Sequence, residues 1–335
     1  MVVAMLAALG WTARAQACAG CRNPNMPITR LESVHLAPGE IRAAAVVGVT
    51  TLNVVHPAGC PDLASCNEVP VQPVYLHDQD IWPAELRPVL EVGLTRAFAA
   101  EVHLPLRLTR TTISYRSPDG SPYTPLDPDV HHRNETLAGI GDPWVLARWN
   151  TTLAAALLSV RAGVSLPLGR TEPDPFALGA EGKRHQHMQF GTGTFDPVLG
   201  LDASRLLGGF QLAAYAQGQA SLYENRHGFR AGWRGLGGAQ LAHRLVGGLT
   251  GGLGADVMYE GPERWDGEIQ QDGNLGRTEI LVGLSLVQAL GATSLGLTAR
   301  VPVWRHIIVG DEPPGTLRSP LMLSLVASRR FRGWN

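Results

Sequence analysis

Four cysteines and a short histidine cluster are the residues best suited to bind metal or form a covalent bond. Cys18-x-x-Cys21 lies near the N-terminus, with Met26 five residues on. Haem attachment needs His after the second Cys, and Arg22 stands there. A thiol pair in an oxidising compartment reads as a disulfide, or with Met26 as a soft site for Cu(I). Cys60 and Cys66, with five residues between them, read as a small disulfide loop. His185-Gln186-His187-Met188 places two rings on one side of an extended chain, a geometry that Cu(II) or Zn(II) accepts. His131 and His132 could join them; the other reading is an ordinary polar loop. Copper or zinc is therefore the cofactor or cargo these residues suggest.

The chain around them has 335 residues, a formal net charge of -1 and 44% hydrophobic residues, with a mean hydropathy of zero. The charge gives no reason to expect a nucleic-acid partner. No stretch approaches the roughly 18 continuous apolar residues of a membrane helix. The apolar residues alternate instead. Between Gln211 and Tyr223, Leu212, Ala214, Ala216 and Ala220 fall on one face, and Gln211, Tyr215, Gln217 and Gln219 on the other. Similar alternation runs through 102–111, 157–168 and 294–303. Period 2 in segments of about ten residues is the pattern of a transmembrane strand, lipid-facing on one side and lumen-facing on the other.

Twelve such strands are predicted, at 42–55, 84–97, 101–115, 142–150, 153–167, 194–205, 209–223, 228–243, 247–260, 277–288, 293–305 and 319–331. The fold class is thus all-β, a transmembrane antiparallel up-and-down barrel. Connections alternate between long (56–83, 116–141, 168–193, 261–276, 306–318) and short (near Ala99, Thr152, Leu207, Val246 and Gly291), with a short turn near Asn225 as the exception. Long loops are extracellular and short turns periplasmic in such barrels, which puts both termini in the periplasm. Trp82, Trp144, Trp149, Trp233, Trp265 and Trp304 fall near predicted strand ends, as interfacial girdles would, and Phe331 closes the last strand.

Residues 1–17 read as a signal peptide, with an apolar run from Val2 and a small-x-small cleavage site at Ala15-Gln16-Ala17. Residues 18–41 follow as a periplasmic segment, and 42–335 as the outer-membrane barrel. The partners implied are outer-membrane lipid, the barrel-assembly machinery and a small-molecule or metal solute.

The predicted lumen face carries Arg87, Glu91, His103, Arg107, Arg161, Tyr215, Gln217, Arg230, Arg234, Asp256, Glu279 and Arg300. Rings of such charges set selectivity in pores; both signs are present, so neither anions nor cations are favoured. No catalytic residues are assigned. A barrel hydrolase needs a Ser–His pair on the lipid side, whereas His103, Ser159 and Ser221 fall on the lumen face, and no G-x-S-x-G elbow is present.

Gly139-Ile140-Gly141-Asp142-Pro143, Leu166-Pro167-Leu168-Gly169 and Gly191-Thr192-Gly193-Thr194-Phe195-Asp196-Pro197-Val198-Leu199-Gly200 occur in that order. In them the chain resembles the outer-membrane transporter-like family of the phenol-degradation meta-pathway (MetA) type, over roughly residues 85–330. The resemblance implies passage of small molecules across the outer membrane. As chemistry the motifs read as architecture: glycines for tight strand entry, and Asp142 and Asp196 as turn caps. The function expected is passive passage of small solutes, with copper as cargo. The alternatives are a non-transporting barrel that recognises partners through its loops, and a lipid hydrolase.

Overall fold

The computed structural model describes residues 31–60, 72–125, 133–181, 183–270, 273–309 and 321–332. Cys18, Cys21, Met26, Cys66, His131 and His132 lie outside them, as do the signal peptide and the proposed Cys60–Cys66 bridge. Seventeen strands are present among the described residues: β1 (Ile41–Thr50), β2 (Leu52–Cys60), β3 (Gln72–Gly93), β4 (Phe98–His103), β5 (Leu106–Arg116), β6 (Glu135–Ile140), β7 (Trp144–Leu153), β8 (Ala156–Ser165), β9 (Asp196–Leu207), β10 (Phe210–Gln219), β11 (Phe229–Arg230), β12 (Arg234–Arg244), β13 (Leu249–Glu260), β14 (Arg264–Trp265), β15 (Arg277–Leu290), β16 (Thr293–Ile307) and β17 (Met322–Phe331). One six-residue helix, α1 (Pro175–Ala180), lies between β8 and β9.

Neighbouring strands pair antiparallel, and β1 pairs with both β3 and β17, so the sheet closes. β2, β5 and β6 prolong β1, β4 and β7 past short breaks at Thr51, Leu104–Pro105 and Gly141–Pro143. Counted this way, the wall is a closed antiparallel barrel of twelve strands. The outer face shows why it belongs in lipid. Leu90, Leu199, Leu253, Leu284 and Leu325 are among the many large apolar side chains exposed around it, far more than a soluble surface tolerates. Among the described residues no helix is long and apolar enough to cross a membrane.

The strand list holds in every member, with four main differences in extent, one of them β6 (Glu135–Ile140), which lies within 116–141 where a loop was expected. β2 and β3 continue where a loop over 56–83 was expected, so β3 runs for 22 residues. β10 ends at Gln219 and β12 begins at Arg234. The connection at Asn225 is therefore long, and the alternation of long and short connections has no exception. Trp144 and Trp265 are buried, whereas Trp82, Trp149, Trp233 and Trp304 are exposed as girdle residues would be.

The turns at the opposite end are tight. Ala154 and Ala155 form a two-residue hairpin with φ of 49° and 63°. That left-handed region is ordinarily glycine or asparagine territory.

Candidate functional site: the barrel interior

Inward residues of adjacent strands lie opposite one another by register, and this builds a continuous buried ionic network near the turn end. Arg42 of β1 reaches Glu91 of β3 at 3.1 Å, and Arg148 of β7 reaches the other Glu91 oxygen at 2.8 Å. The same Arg148 nitrogen is 2.9 Å from Glu101 of β4, which also receives Arg161 of β8 at 3.1 Å and His103 at 3.2 Å. Arg161 continues to Asp202 of β9. Glu91, Glu101 and Arg148 are at most 1% exposed. Charges so deeply buried are tolerated only when paired and hydrogen-bonded.

The arginines have a second set of acceptors. Arg161 donates to the Leu31 carbonyl at 3.2 Å, Arg42 to Glu32 at 2.8 Å and Arg148 to Val34 at 2.8 Å. Ser33 donates to Asp202 at 3.0 Å. Leu31 and Leu36 are buried, and Leu31 packs with Ala44, Val46 and Val89 of the wall. Residues 31–36, expected in the periplasm with the rest of 18–41, thus lie inside the barrel. An irregular segment has backbone groups that need partners, and the wall arginines supply them. A turn through Gly39 (φ 77°) then leads into β1, where Gly39 donates to the Gly93 carbonyl at 2.7 Å.

Above this plug an apolar layer of inward side chains includes Leu146, Val198, Tyr215, Leu236, Met258, Leu281 and Met322. Trp144 joins it and carries the Arg87 guanidinium 5.0 Å from its ring centre. Beyond that layer Glu85 receives Arg87 and, at 3.1 Å, Arg107. Between these groups, Arg234 and residues 189–192 is a cavity of about 30 Å³, about the volume of one water in the liquid.

The three motifs meet here. Asp142 accepts from the Gly169 amide at 2.8 Å, the Thr192 amide at 2.6 Å and the Thr192 hydroxyl at 2.9 Å. It thereby ties the break between β6 and β7 to both ends of the 166–195 loop. A Cβ on Gly191 would sit 2.6 Å from Asp142 Oδ1 and 2.7 Å from the Gly169 Cα, so glycine is required by close approach. Asp196 differs from the expectation. Its partners are side chains, the Thr194 hydroxyl at 2.6 Å and the Gln219 amide at 2.9 Å. The tied loop folds inward, and Arg107 donates to the Phe190 carbonyl at 2.8 Å.

Of the residues placed on the lumen face by sequence, Arg87, Glu91, His103, Arg107, Arg161, Tyr215, Gln217, Arg234, Asp256, Glu279 and Arg300 are inward-facing on barrel strands. Tyr215 and Arg300 both meet Asp256, and Arg305 meets Glu279. Arg230 does not belong with them. It lies on β11, off the wall, opposite Arg264 of β14. The reason is the early end of β10, which puts 220–233 in a loop. Arg42, Glu85, Glu101, Arg148 and Asp202, which carry much of the network, were not singled out by sequence. Their signal was present, a charge at alternate positions in strands otherwise apolar.

His185 and His187 do share one side of the chain, with ring centres 5.0 Å apart. His185 Nδ1 is 2.8 Å from the Lys183 carbonyl, which makes it a donor, and His187 packs edge-on against Phe176. Met188 packs against the apolar cluster of Leu52, Val54 and Ile81. Among the described residues no three His, Cys, Asp or Glu side chains come together as a metal site, and copper handling gains no support. Ser159 bonds Asn150, and Ser221 bonds Thr194, neither a histidine.

Over the cavity, the loops after β8, β10 and β13 pack as one cap. Trp265 is 2% exposed and meets Phe229 and Phe176. Glu263 lies beneath it and accepts from the Trp265 indole at 3.3 Å. Burial pushes its carboxyl up to about 7.

No protein-family model and no curated protein matches the chain. Among solved structures, the COG4313 outer membrane channel from Pseudomonas putida F1 is similar at 13% identity and a TM-score of 0.54, over 88% of this chain and 97% of that one. The toluene transporter TodX of Pseudomonas putida matches at 9% identity and a TM-score of 0.41, over 88% of this chain and 91% of that one. The fold is that of a bacterial outer-membrane β-barrel.

Proposed function

We propose that the protein is an outer-membrane channel for small solutes, closed in this state by its own N-terminal segment. The observation that carries the reading is the docking of residues 31–36 in the barrel, where three wall arginines hold three successive parts of its backbone. A barrel with a purely structural role gains nothing from a separable segment held by polar bonds across a polar lumen. The long connections lie at one end and the tight turns at the other, which supports extracellular loops and periplasmic termini. The segment would then enter from the periplasm. The order of the three motifs and the role of the P. putida channel both favour transport within the MetA-type group. The solute path would run past Arg148 and Arg161 and through the Arg87–Arg107–Arg234 cavity.

The test is single-channel conductance in a planar bilayer of the full chain and of a variant lacking residues 31–36. The full chain should show brief or small steps, and the variant long, larger ones. Equal conductance in the two, or silence in both with the barrel folded, would refute the reading.

A further inference from the structure

We propose that the turn end of the barrel is a docking surface for the phosphate groups of anionic phospholipid, held by a belt of arginines at the edge of the lipid-facing band. The inference goes beyond the channel reading and takes from it only the leaflet. With the turns periplasmic, the lipid is that of the leaflet facing the periplasm.

The charge at this end is one-sided. Arg96 in the turn between β3 and β4, Arg205 of β9, Arg244 of β12, Arg329 and Arg330 of β17, and Arg332 just beyond it are all exposed. Glu91, Glu101 and Asp202 are taken up by Arg42, Arg148 and Arg161 in the buried network. Two acids remain, Glu32 in the docked segment and Glu40 before β1. Glu40 accepts from the Ala37 amide at 2.9 Å and lies 3.9 Å from Arg330. With both glutamates counted, six exposed arginines face two carboxylates. Among the described residues, Arg96, Arg205, Arg244, Arg329 and Arg332 form no ion pair with a carboxylate. Residues 1–30 contain no acidic side chain that could supply one. The loop end carries both signs, and Arg116, Arg133, Arg170 and Lys183 each meet a carboxylate there.

Position makes the partner a lipid and not a soluble anion. Arg205 alternates with the exposed Leu199 and Leu201 on the outer face of β9, and lies opposite the exposed Leu212 of β10. Arg329 follows Leu323 and Leu325 on the outer face of β17, with its guanidinium 5.4 Å from the centre of the Phe331 ring. Phe195, exposed just ahead of β9 at the loop end, is ten residues from Arg205. A tilted strand crosses the hydrocarbon in about 9–11 residues. Arg205 therefore reaches the far interface, where a long side chain turns its charged head to the headgroups. Phe98, Trp149 and Phe210 are exposed near the same turns, as interfacial aromatics are. A guanidinium fork matches two phosphate oxygens.

The experiment is electron spin resonance of the full chain, folded in phosphatidylcholine vesicles, with spin-labelled phosphatidylglycerol or spin-labelled phosphatidylcholine as the probe. The motionally restricted fraction of each probe gives their relative association with the barrel. Phosphatidylglycerol should be preferred by roughly threefold, averaged over the lipid shell. The preference should fall towards unity at about 1 M salt, where the screening length is about 3 Å. Arg205→Gln and Arg329→Gln should each lower it, and the two combined with Arg96→Gln and Arg244→Gln should abolish it. Arg184→Gln, Arg226→Gln and Arg264→Gln together, at the loop end, should leave it unchanged. Heat-modifiable migration on gels reports that each variant is a folded barrel. No preference in the unmodified folded chain would overturn the proposal. So would a preference that survives the turn-end variants or is lost in the loop-end one. Glycerol phosphate at about 10 mM should weaken the preference no more than sodium chloride of equal ionic strength does; a larger effect would mark a site for a soluble anion and overturn the lipid assignment. The measurement requires no conduction. A barrel silent in bilayers that prefers phosphatidylglycerol keeps this surface and loses the channel reading; one that conducts without the preference does the reverse.

Discussion

Arg148→Met is the most informative single change. Arg148 is fully buried, and one of its nitrogens serves both Glu91 and Glu101 while another donates to the Val34 carbonyl. Met keeps the stem and removes the charge. Glu91 retains Arg42 and Glu101 retains Arg161, so the barrel loses less than an isolated buried pair would, about 3 kcal/mol at the lower end of that range. The effect on the docked segment is separable. A hydrogen bond from a charged donor contributes about 1.5–3 kcal/mol, and 1.4 kcal/mol is about tenfold in an equilibrium. Release of residues 31–36 should therefore become roughly 10- to 100-fold more frequent. Hydrogen exchange read by mass spectrometry on peptides covering 31–40 measures this directly. Urea unfolding in lipid measures the barrel term. Exchange in that peptide changing by less than threefold, in a folded variant, would show that Arg148 does not hold the segment.

Four further outcomes follow from the same geometry. Leu284→Arg, on the lipid-facing side of β15, should lower unfolding free energy in bilayers by about 2–4 kcal/mol if it lies near the midplane; a neutral result would mean the faces are reversed. Asp142→Ala removes the acceptor of three bonds and should lose about 3 kcal/mol or more, with proteolytic cleavage appearing between 170 and 190 while the barrel stays intact. Replacing Ala154 by Asn and Ala155 by Gly should relieve two left-handed alanines and stabilise the barrel by about 1–2 kcal/mol, read from urea midpoints. Glu263 supplies a pH dependence. Its folded value of about 7 lies above the 4.5 usual for a glutamate, so between those values the closed cap holds a proton that the open loop lacks. Cap stability is then highest below pH 4.5, falls as pH rises towards 7, and is flat above, a total of about 3 kcal/mol. Protease resistance of 261–276 should follow that curve, and Glu263→Gln should abolish it.

The alternation that identifies β10 was legible because one face meets lipid and the other the interior. The same rule failed for residues 72–83. There Gln79, Asp78 and Asp80 make both faces polar, and Pro73 and Pro83 read as breakers. Hydrogen bonding to β2 and β5 holds that stretch extended, and nothing within residues 72–83 themselves points to either partner. The buried network was hidden for a related reason. Arg148 and Arg161 lie directly opposite in register, a pairing that pattern alone marks as repulsive. Glu101, which reconciles them, comes from β4, some 50 residues earlier. Residues 31–36 have no periodicity, so nothing local could place them inside. The motifs around Asp142 and Gly191 were read as architecture, and the capping bonds and close glycine contact agree.

The pairing of β1 with β17 has a consequence for how the chain reaches its membrane. Ten residues of β1 meet ten of β17, and the Thr50 hydroxyl bonds the Leu321 carbonyl from 271 positions away. Until the last strand is made, every partial barrel has two raw edges of unpaired amides and carbonyls. Each such group in hydrocarbon costs several kcal/mol, so a partly built sheet cannot wait in the bilayer. Insertion and seam closure must be nearly the same event, and a chain that stops short of Met322 should end as aggregate rather than as a smaller pore.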